Sequence, residues 1–500
     1  MHGALETAQA RFEALETGKS LDKEQYSELR EELRTSLVRT QFELRDQPYP
    51  VIVIMAGVDG AGKGAAVHCI NEWMDPRLIE TSAFWLHSDE EESRPYFWRF
   101  WRRMPPKGRM GIFLQSWYTK PWYEAMEGKI SEAEFGDTLR EIEAYERMLT
   151  DDGALLIKIW LHVSRKTQRM QLSEEAPKKQ QNPRVPGDPD AWWKRYPKAM
   201  EISEQLVRAT DVSHSPWHLV EAEDRYYRDI TVNQLILDAL QSRAAISAPE
   251  QPAAAANSAR REGQPTILDR VDLEQSLVRD SYKEQLRERQ AELQDLAWRA
   301  LRKQRSLVAV FEGWDAAGKG SAIRRVTGAM DPRLYRLIQF AAPTDEERAH
   351  HYLWRFWRQL ERDGIATLFD RSWYGRVLVE RVEGFARPDE WQRAYNEINL
   401  FEQHILDHGS VLLKFWLHIS PEEQLRRFKA RESQPHKQHK ITEEDWRNRE
   451  KWHDYELAVE DMVTHTSTRD APWTLVPGND KLYARIHILE KFCQALRDSL

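Results

Sequence analysis

The chain repeats itself at a constant interval, and that limits what it can fold into. The glycine-rich run Val58–Gly64, VDGAGKG, returns as Trp314–Gly320, WDAAGKG; Lys319 follows Lys63 by 256 residues. The same shift carries Asp75-Pro-Arg-Leu78 onto Asp331-Pro-Arg-Leu334 and Trp98-Arg-Phe-Trp101 onto Trp354-Arg-Phe-Trp357. It also carries Ser116-Trp-Tyr118 onto Ser372-Trp-Tyr374, Lys158-Ile-Trp-Leu-His162 onto Lys414-Phe-Trp-Leu-His418, and Pro216-Trp217 onto Pro472-Trp473. No gap is needed, and even Tyr26 and Tyr282 in the preceding charged stretches obey it. A repeat held in register this long means two homologous domains. Between the copies, Ser247–Pro265 is rich in Ala, Pro, Ser and Gln and has no periodic apolar residues, the composition of a linker. The expected division is a first domain over residues 1–243, a linker over 244–265 and a second domain over 266–500.

Each copy alternates strand and helix signals. Val51–Met55 and Leu307–Phe311 are short apolar runs that end in a glycine loop followed by a helix-like stretch. Ile365–Phe369 and Val411–Ile419 are further candidates for buried strands. Strands alternating with helices predict a parallel sheet covered on both faces. The expected fold class is α/β: two tandem α/β/α sandwiches with parallel sheets, each preceded by a charged helical stretch.

Gly313-Trp-Asp-Ala-Ala-Gly318-Lys319 fits the first seven positions of the phosphate-loop pattern G-x-x-x-x-G-K. Glycines let the backbone turn its N–H groups toward a phosphate, and the following helix points its positive end there. The pattern then breaks. The eighth position, whose Ser or Thr hydroxyl ordinarily binds Mg²⁺, is Gly320, and Gly64 in the first copy. An acid, Asp315, sits inside the loop instead. A carboxylate among phosphate-binding amides needs a compensating cation, and Mg²⁺ suits carboxylate and phosphate oxygens. A second carboxylate, Asp370, ends the run Ile365–Phe369 in Asp370-Arg-Ser-Trp-Tyr-Gly-Arg376, as a Walker B acid would. Strand ends in a parallel sheet share one rim with the loop, which would bring Asp370, Arg371 and Arg376 to Asp315 and Lys319.

The motifs GWDAAGKG, DPRL, WRFW, FDRSWYGR, LKFWLHIS, EDWRNREKW and APWTLVPGND together resemble the polyphosphate kinase 2 family, over nearly all of the second domain and more weakly over the first. The tandem form is similar to the class II members, polyphosphate:AMP phosphotransferases. The resemblance implies a P-loop kinase-like fold with a helical lid, Mg²⁺ as cofactor, and phosphoryl transfer from inorganic polyphosphate to AMP, giving ADP. It assigns Asp315 and Asp370 to the metal and the acceptor, with Lys319 and Arg371 as the other catalytic residues. Gly313, Ala316, Ala317, Gly318, Gly320 and Ser321 are then the loop positions that face phosphate. Arg376 and Glu380 complete the Asp370 segment, and Arg426, Arg427, Lys429 and Arg431 match the basic lid.

In the first copy these groups are missing. Leu114 stands where Asp370 does, Gln115 for Arg371, and Met170, Gln171, Ser173 and Glu175 for the four lid cations. Asp59, Lys63 and Glu124 remain. The expectation is a first domain without activity, serving as an internal dimer partner. His162, His418, Trp354 and Trp357 read as packing residues, and His436 and His439 as surface residues rather than a metal site.

Bulk composition narrows the class further. The 500 residues are 31% charged and 41% hydrophobic, an ordinary globular balance. A net charge of −8 argues against a general nucleic-acid binder. The sequence shows no apolar run long enough for a membrane span and no apolar core of a secretory signal near its start. Cys69 and Cys493 make no disulfide framework, so a cytoplasmic protein is expected, acting as a homo-oligomer. An ATP-dependent nucleoside monophosphate kinase and a non-catalytic nucleotide-binding scaffold are the competing readings.

Overall fold

Apolar runs without polar alternation belong to strands covered on both faces. VIVIMAG (Val51–Gly57, β1) and LVAVFEG (Leu307–Gly313, β6) are such runs, and each is the central strand of a five-stranded parallel sheet. The computed structural model describes residues 11–84, 87–175, 189–245, 265–433 and 443–500. The first sheet has the order β2-β3-β1-β4-β5, with β2 Ile79–Ala83, β3 Met110–Leu114, β4 Leu155–His162 and β5 Trp217–Glu221. The second has the same order, β7-β8-β6-β9-β10, with β7 Tyr335–Gln339, β8 Ala366–Asp370, β9 Val411–His418 and β10 Trp473–Pro477. Register repeats as well. Val51 pairs with Met110 and Leu155, and 256 residues later Leu307 pairs with Ala366 and Val411. The two sheets with their flanking helices are the expected α/β architecture. In both, the glycine loop leaves the central strand where the connections divide to either side, the position at which such sheets bind ligands.

The chain forms two compact units. One takes the described residues of 1–87, 100–248 and 349–351, the other those of 88–99, 249–348 and 352–500. Residues 246–264 of the expected linker, and His436 and His439, lie outside the described residues. Among the described residues no helix is long and apolar enough to cross a membrane.

A buried ion pair anchors the same place in each unit. In the second, Lys414 Nζ on β9 reaches Glu402 Oε2 at 2.7 Å and donates to Thr466 O at 2.6 Å. Glu402 also accepts from Tyr374 OH and Trp373 Nε1. Lys158 and Glu146 repeat this with Thr210, Tyr118 and Trp117. Buried charges are tolerable when every remaining polar atom finds a partner. Here they fix the Ser-Trp-Tyr turn that follows β8 and β3. The packing roles expected of Trp354, Trp357, His162 and His418 hold, since all four are buried. His418 Nδ1 accepts from Trp314 Nε1 at 2.9 Å, and burial pushes its pKa down to about 4, so the ring is neutral.

Candidate active site

The glycine loop of the second unit has a shape few residues allow. Gly313 closes β6 with φ +144°, and a Cβ there would lie 2.5 Å from Leu417 O on the neighbouring strand. Gly318 turns the chain into the helix Lys319–Thr327 with φ +117°. Both are glycine positions for steric reasons. Ala316 takes φ +63°, at the place where the first unit has Gly60 at +83°. Gly320, by contrast, would meet nothing within 4 Å if it carried a Cβ. Lys319 folds back over its own loop, donating to Gly313 O at 2.6 Å and Trp314 O at 3.4 Å.

Asp315 does not cap the helix, whose N-cap Gly318 has no side-chain bond. Its carboxylate accepts from Asn448 Nδ2 at 3.0 Å and lies 3.8 Å from the Arg371 guanidinium. Arg371 follows β8 with φ +67°, and its N–H donates to Phe311 O, so the strand end with Asp370 is pinned beside the loop. Asp315, Asp370, Lys319, Arg371, Arg426, Arg427 and Arg431 all line one groove of about 820 Å³, together with Ala316, Ala317, Gly318, Gly320 and Ser321. Gly313 lines an adjoining hollow that shares Asp315, Lys319 and Arg371 with the groove.

Other expected residues lie elsewhere. Arg376 pairs with Glu380 at 3.2 Å and stacks over Tyr352, and neither Arg376 nor Glu380 lines the groove. Lys429 is exposed and does not line it either. Arg427 is a special case. Its side chain is only 3% exposed, and its NH1 donates to Ala316 O and Ala317 O while NH2 donates to Gly478 O and Asn479 O. From the groove wall it clasps the glycine loop to the loop after β10. Arg426 is exposed, held by Glu423 through two bonds of 2.7 Å.

The groove also contains cations that motif reading missed: Arg324, Lys481 and Arg485. In all, Lys319, Arg324, Arg371, Arg426, Arg427, Arg431, Lys481 and Arg485 face three acids, Asp315, Asp370 and Asp445. Desolvation, with Arg427 nearby, pushes the pKa of Lys481 down to about 8. Lys481 and Arg485 are four residues apart on one helix and so share a face. A signal for Arg485 existed, because the first copy reverses its charge at Asp229.

The description Polyphosphate kinase 2 (PPK2) matches residues 20–248 and again 276–500. The chain belongs to the polyphosphate kinase 2 family. A polyphosphate:AMP phosphotransferase of Pseudomonas aeruginosa is 49% identical over 97% of this chain and 98% of its own length. A protein of the same name from Acinetobacter johnsonii is 38% identical over 93% of this chain and 96% of its own length. A crystal structure from Pseudomonas aeruginosa, described as a polyphosphate kinase 2, superposes with a TM-score of 0.87 at 47% identity, covering 98% of this chain and 99% of that one.

Within this polyphosphate kinase 2 chain, the first unit keeps the backbone of the site and the two loop charges, Asp59 and Lys63, but not the charges around them. Gln115 holds φ +61° where Arg371 has +67°. Lys63 donates to Gly57 O and Val58 O as Lys319 does to its own loop. Asp59 is occupied by Lys63 and by the Tyr123 hydroxyl. Arg228, at the place of Ala484, presses against the loop: a Cβ on Gly62 would lie 2.1 Å from its NH1.

Proposed function

We propose that the protein transfers a phosphoryl group from inorganic polyphosphate to AMP, giving ADP, and that the second unit carries the reaction. The observation that supports this best is the groove at the second glycine loop, where eight cationic side chains face three carboxylates. A chain of phosphates needs such an extended cationic lining, and the names of the full-length relatives point to the same donor and acceptor.

In the transfer, an oxygen of the AMP phosphate bonds to the terminal phosphorus of polyphosphate. The bridging P–O bond breaks, and the shortened chain leaves with the electron pair. The attacking phosphate is already anionic, so no strong general base is required; positioning and charge neutralisation are what the protein must supply. Lys319 is placed to swing from its own carbonyls onto the transferring group. Arg371, Arg426 and Arg431 would neutralise oxygens along the donor, while Arg427 keeps the loop in shape. The adjoining hollow offers the nucleoside an apolar wall of Trp314, Trp416 and Tyr455.

Asp315 and Asp370 would hold Mg²⁺. Among the described residues no group of three or more His, Cys, Asp or Glu side chains could form an all-protein cage. Two carboxylates with phosphate and water completing the shell is the habit of Mg²⁺, so the donor set fits. The ion would supply charge neutralisation between the phosphates.

The experiment is an assay of purified protein with Mg²⁺ and AMP, offering long-chain polyphosphate or ATP as donor. ADP should form from polyphosphate, with an apparent affinity that falls as salt rises. Turnover with ATP and none with polyphosphate would identify a nucleoside monophosphate kinase instead.

A further inference from the structure

Glu312 is the penultimate residue of β6, directly before the glycine loop, and is only 6% exposed. Its Oε1 accepts from both Ser372 N and Ser372 Oγ at 2.8 Å, tying the central strand to the turn that follows Asp370 and Arg371. It lines the hollow shared with Asp315, Lys319 and Arg371. Burial pushes its carboxyl pKa up, while Lys319, Ser372 and Arg371 pull it back down.

The duplication supplies an internal control. The first unit has Ala56 at this position. There Ser116 N–H turns to Thr119 Oγ1 at 3.1 Å, and Gln115 still reaches φ +61°. The turn there forms with a threonine hydroxyl in place of the acid, at the position where the second unit has Gly375. Along with the carboxylate the first unit loses Arg371, replaced by Gln115, and Asp370, replaced by Leu114, while Lys63 keeps the loop contacts of Lys319.

We propose that Glu312 is a positioning residue of the catalytic unit, a buried carboxylate that orients Arg371, next to the Ser372 it holds, for phosphoryl transfer rather than one that maintains the fold. This rests on the activity proposed above, so wild-type turnover of AMP with polyphosphate is measured first in the same assay. If that fails, the activity is wrong; if it succeeds, the variants test Glu312 alone.

Glu312→Gln keeps an oxygen for Ser372 but removes the negative charge from the hollow that Glu312 shares with Arg371. Its kcat should fall by about 10-fold or more, because the lost interaction acts on the groups that meet the transition state. Its KM for polyphosphate should stay within about 2-fold of wild type, since the other cations of the groove still hold the polyanion and the loss falls mainly on the transition state. Its melting temperature should stay within about 3 °C. Glu312→Asp, which keeps the charge on a shorter arm, should recover part of the lost kcat. A kcat for Glu312→Gln within about 2-fold of wild type would overturn the proposal. So would a rise in KM that accounts for the whole loss of kcat/KM. Collapse of the fold in Glu312→Gln would overturn it as well, because the carboxylate would then be structural.

Discussion

Asp315 and Asp370 are acids in a groove whose other charges are nearly all positive, and an acid kept in such a place needs a task. If both hold Mg²⁺, Asp370→Asn should lower kcat by roughly three orders of magnitude, while thermal unfolding stays near wild type. Raising Mg²⁺ should recover part of the activity; full activity at low Mg²⁺ would remove Asp370 from the metal site. Lys481 leads to a prediction about pH. Its folded pKa is depressed to about 8, so it is charged at neutral pH and loses its proton as pH rises through that value. The groove then has one cation fewer. The KM for polyphosphate should therefore climb between pH 7 and pH 9, and Lys481→Met should raise KM at pH 7 and flatten that climb; an unchanged climb in the variant would refute this. Asp315, Lys319, Asp370 and Arg371 were legible in the sequence because each sits in a short motif beside a strand. Glu312, Arg324, Lys481 and Arg485 were not, because they come from a strand, a helix flank and the C-terminal helix, and meet only in the folded unit. Even so, Ala56 and Asp229 in the first copy mark two of them by contrast.

Among elements, the strands that could be read were those buried on both faces. β1, β6, β8 and β9 match the apolar runs to within a residue or two. The edge strands β7 and β10 were not picked out. In β7, Tyr-Arg-Leu-Ile-Gln has no buried residue, so no apolar pattern announces it. Arg426, Arg427, Lys429 and Arg431, matched to the basic lid, lie on the helix Pro421–Glu432, and the structure divides its arginines into two kinds. Arg427 fills the hydrogen-bonding needs of four carbonyls, two of them in the glycine loop. Arg427→Met would leave those groups buried without donors, at a cost of about 3 kcal/mol. Arg426, 69% exposed, makes only a surface ion pair with Glu423. Arg426→Met should change stability by less than about 1 kcal/mol and act instead on the KM for polyphosphate. Urea melts and steady-state kinetics on the two variants separate clasp from grip. Equal stability losses would show that the two arginines are alike.

The whole chain is one architecture used twice, with most of the charged groups of the site kept in one copy. Both units preserve sheet order, strand register, the buried Lys–Glu pair and the left-handed backbone after β3 and β8. They differ in charge at the site: Leu114 for Asp370, Gln115 for Arg371, Ala56 for Glu312 and Met170 for Arg426. Removing one half outright would confuse the comparison. The second unit includes residues 88–99, where Arg94 Nε donates to Leu360 O and Phe97 stacks on His404 at 4.4 Å. A chain cut to residues 266–500 would lose these contacts along with the first unit. Point variants of the two loop lysines avoid that difficulty. Both lysines rest on the carbonyls of their own loops, so neither is needed more than the other for local folding. Lys319 has a cationic groove with three acids around it; Lys63 has Asp59, Tyr123 and a loop against which Arg228 already presses. Lys319→Ala should therefore abolish AMP phosphorylation from polyphosphate, and Lys63→Ala should leave most of it, with similar small changes in melting temperature. If Lys63→Ala is as damaging as Lys319→Ala in a folded protein, the first loop takes part in turnover. Missing charges would then be no guide to which unit works.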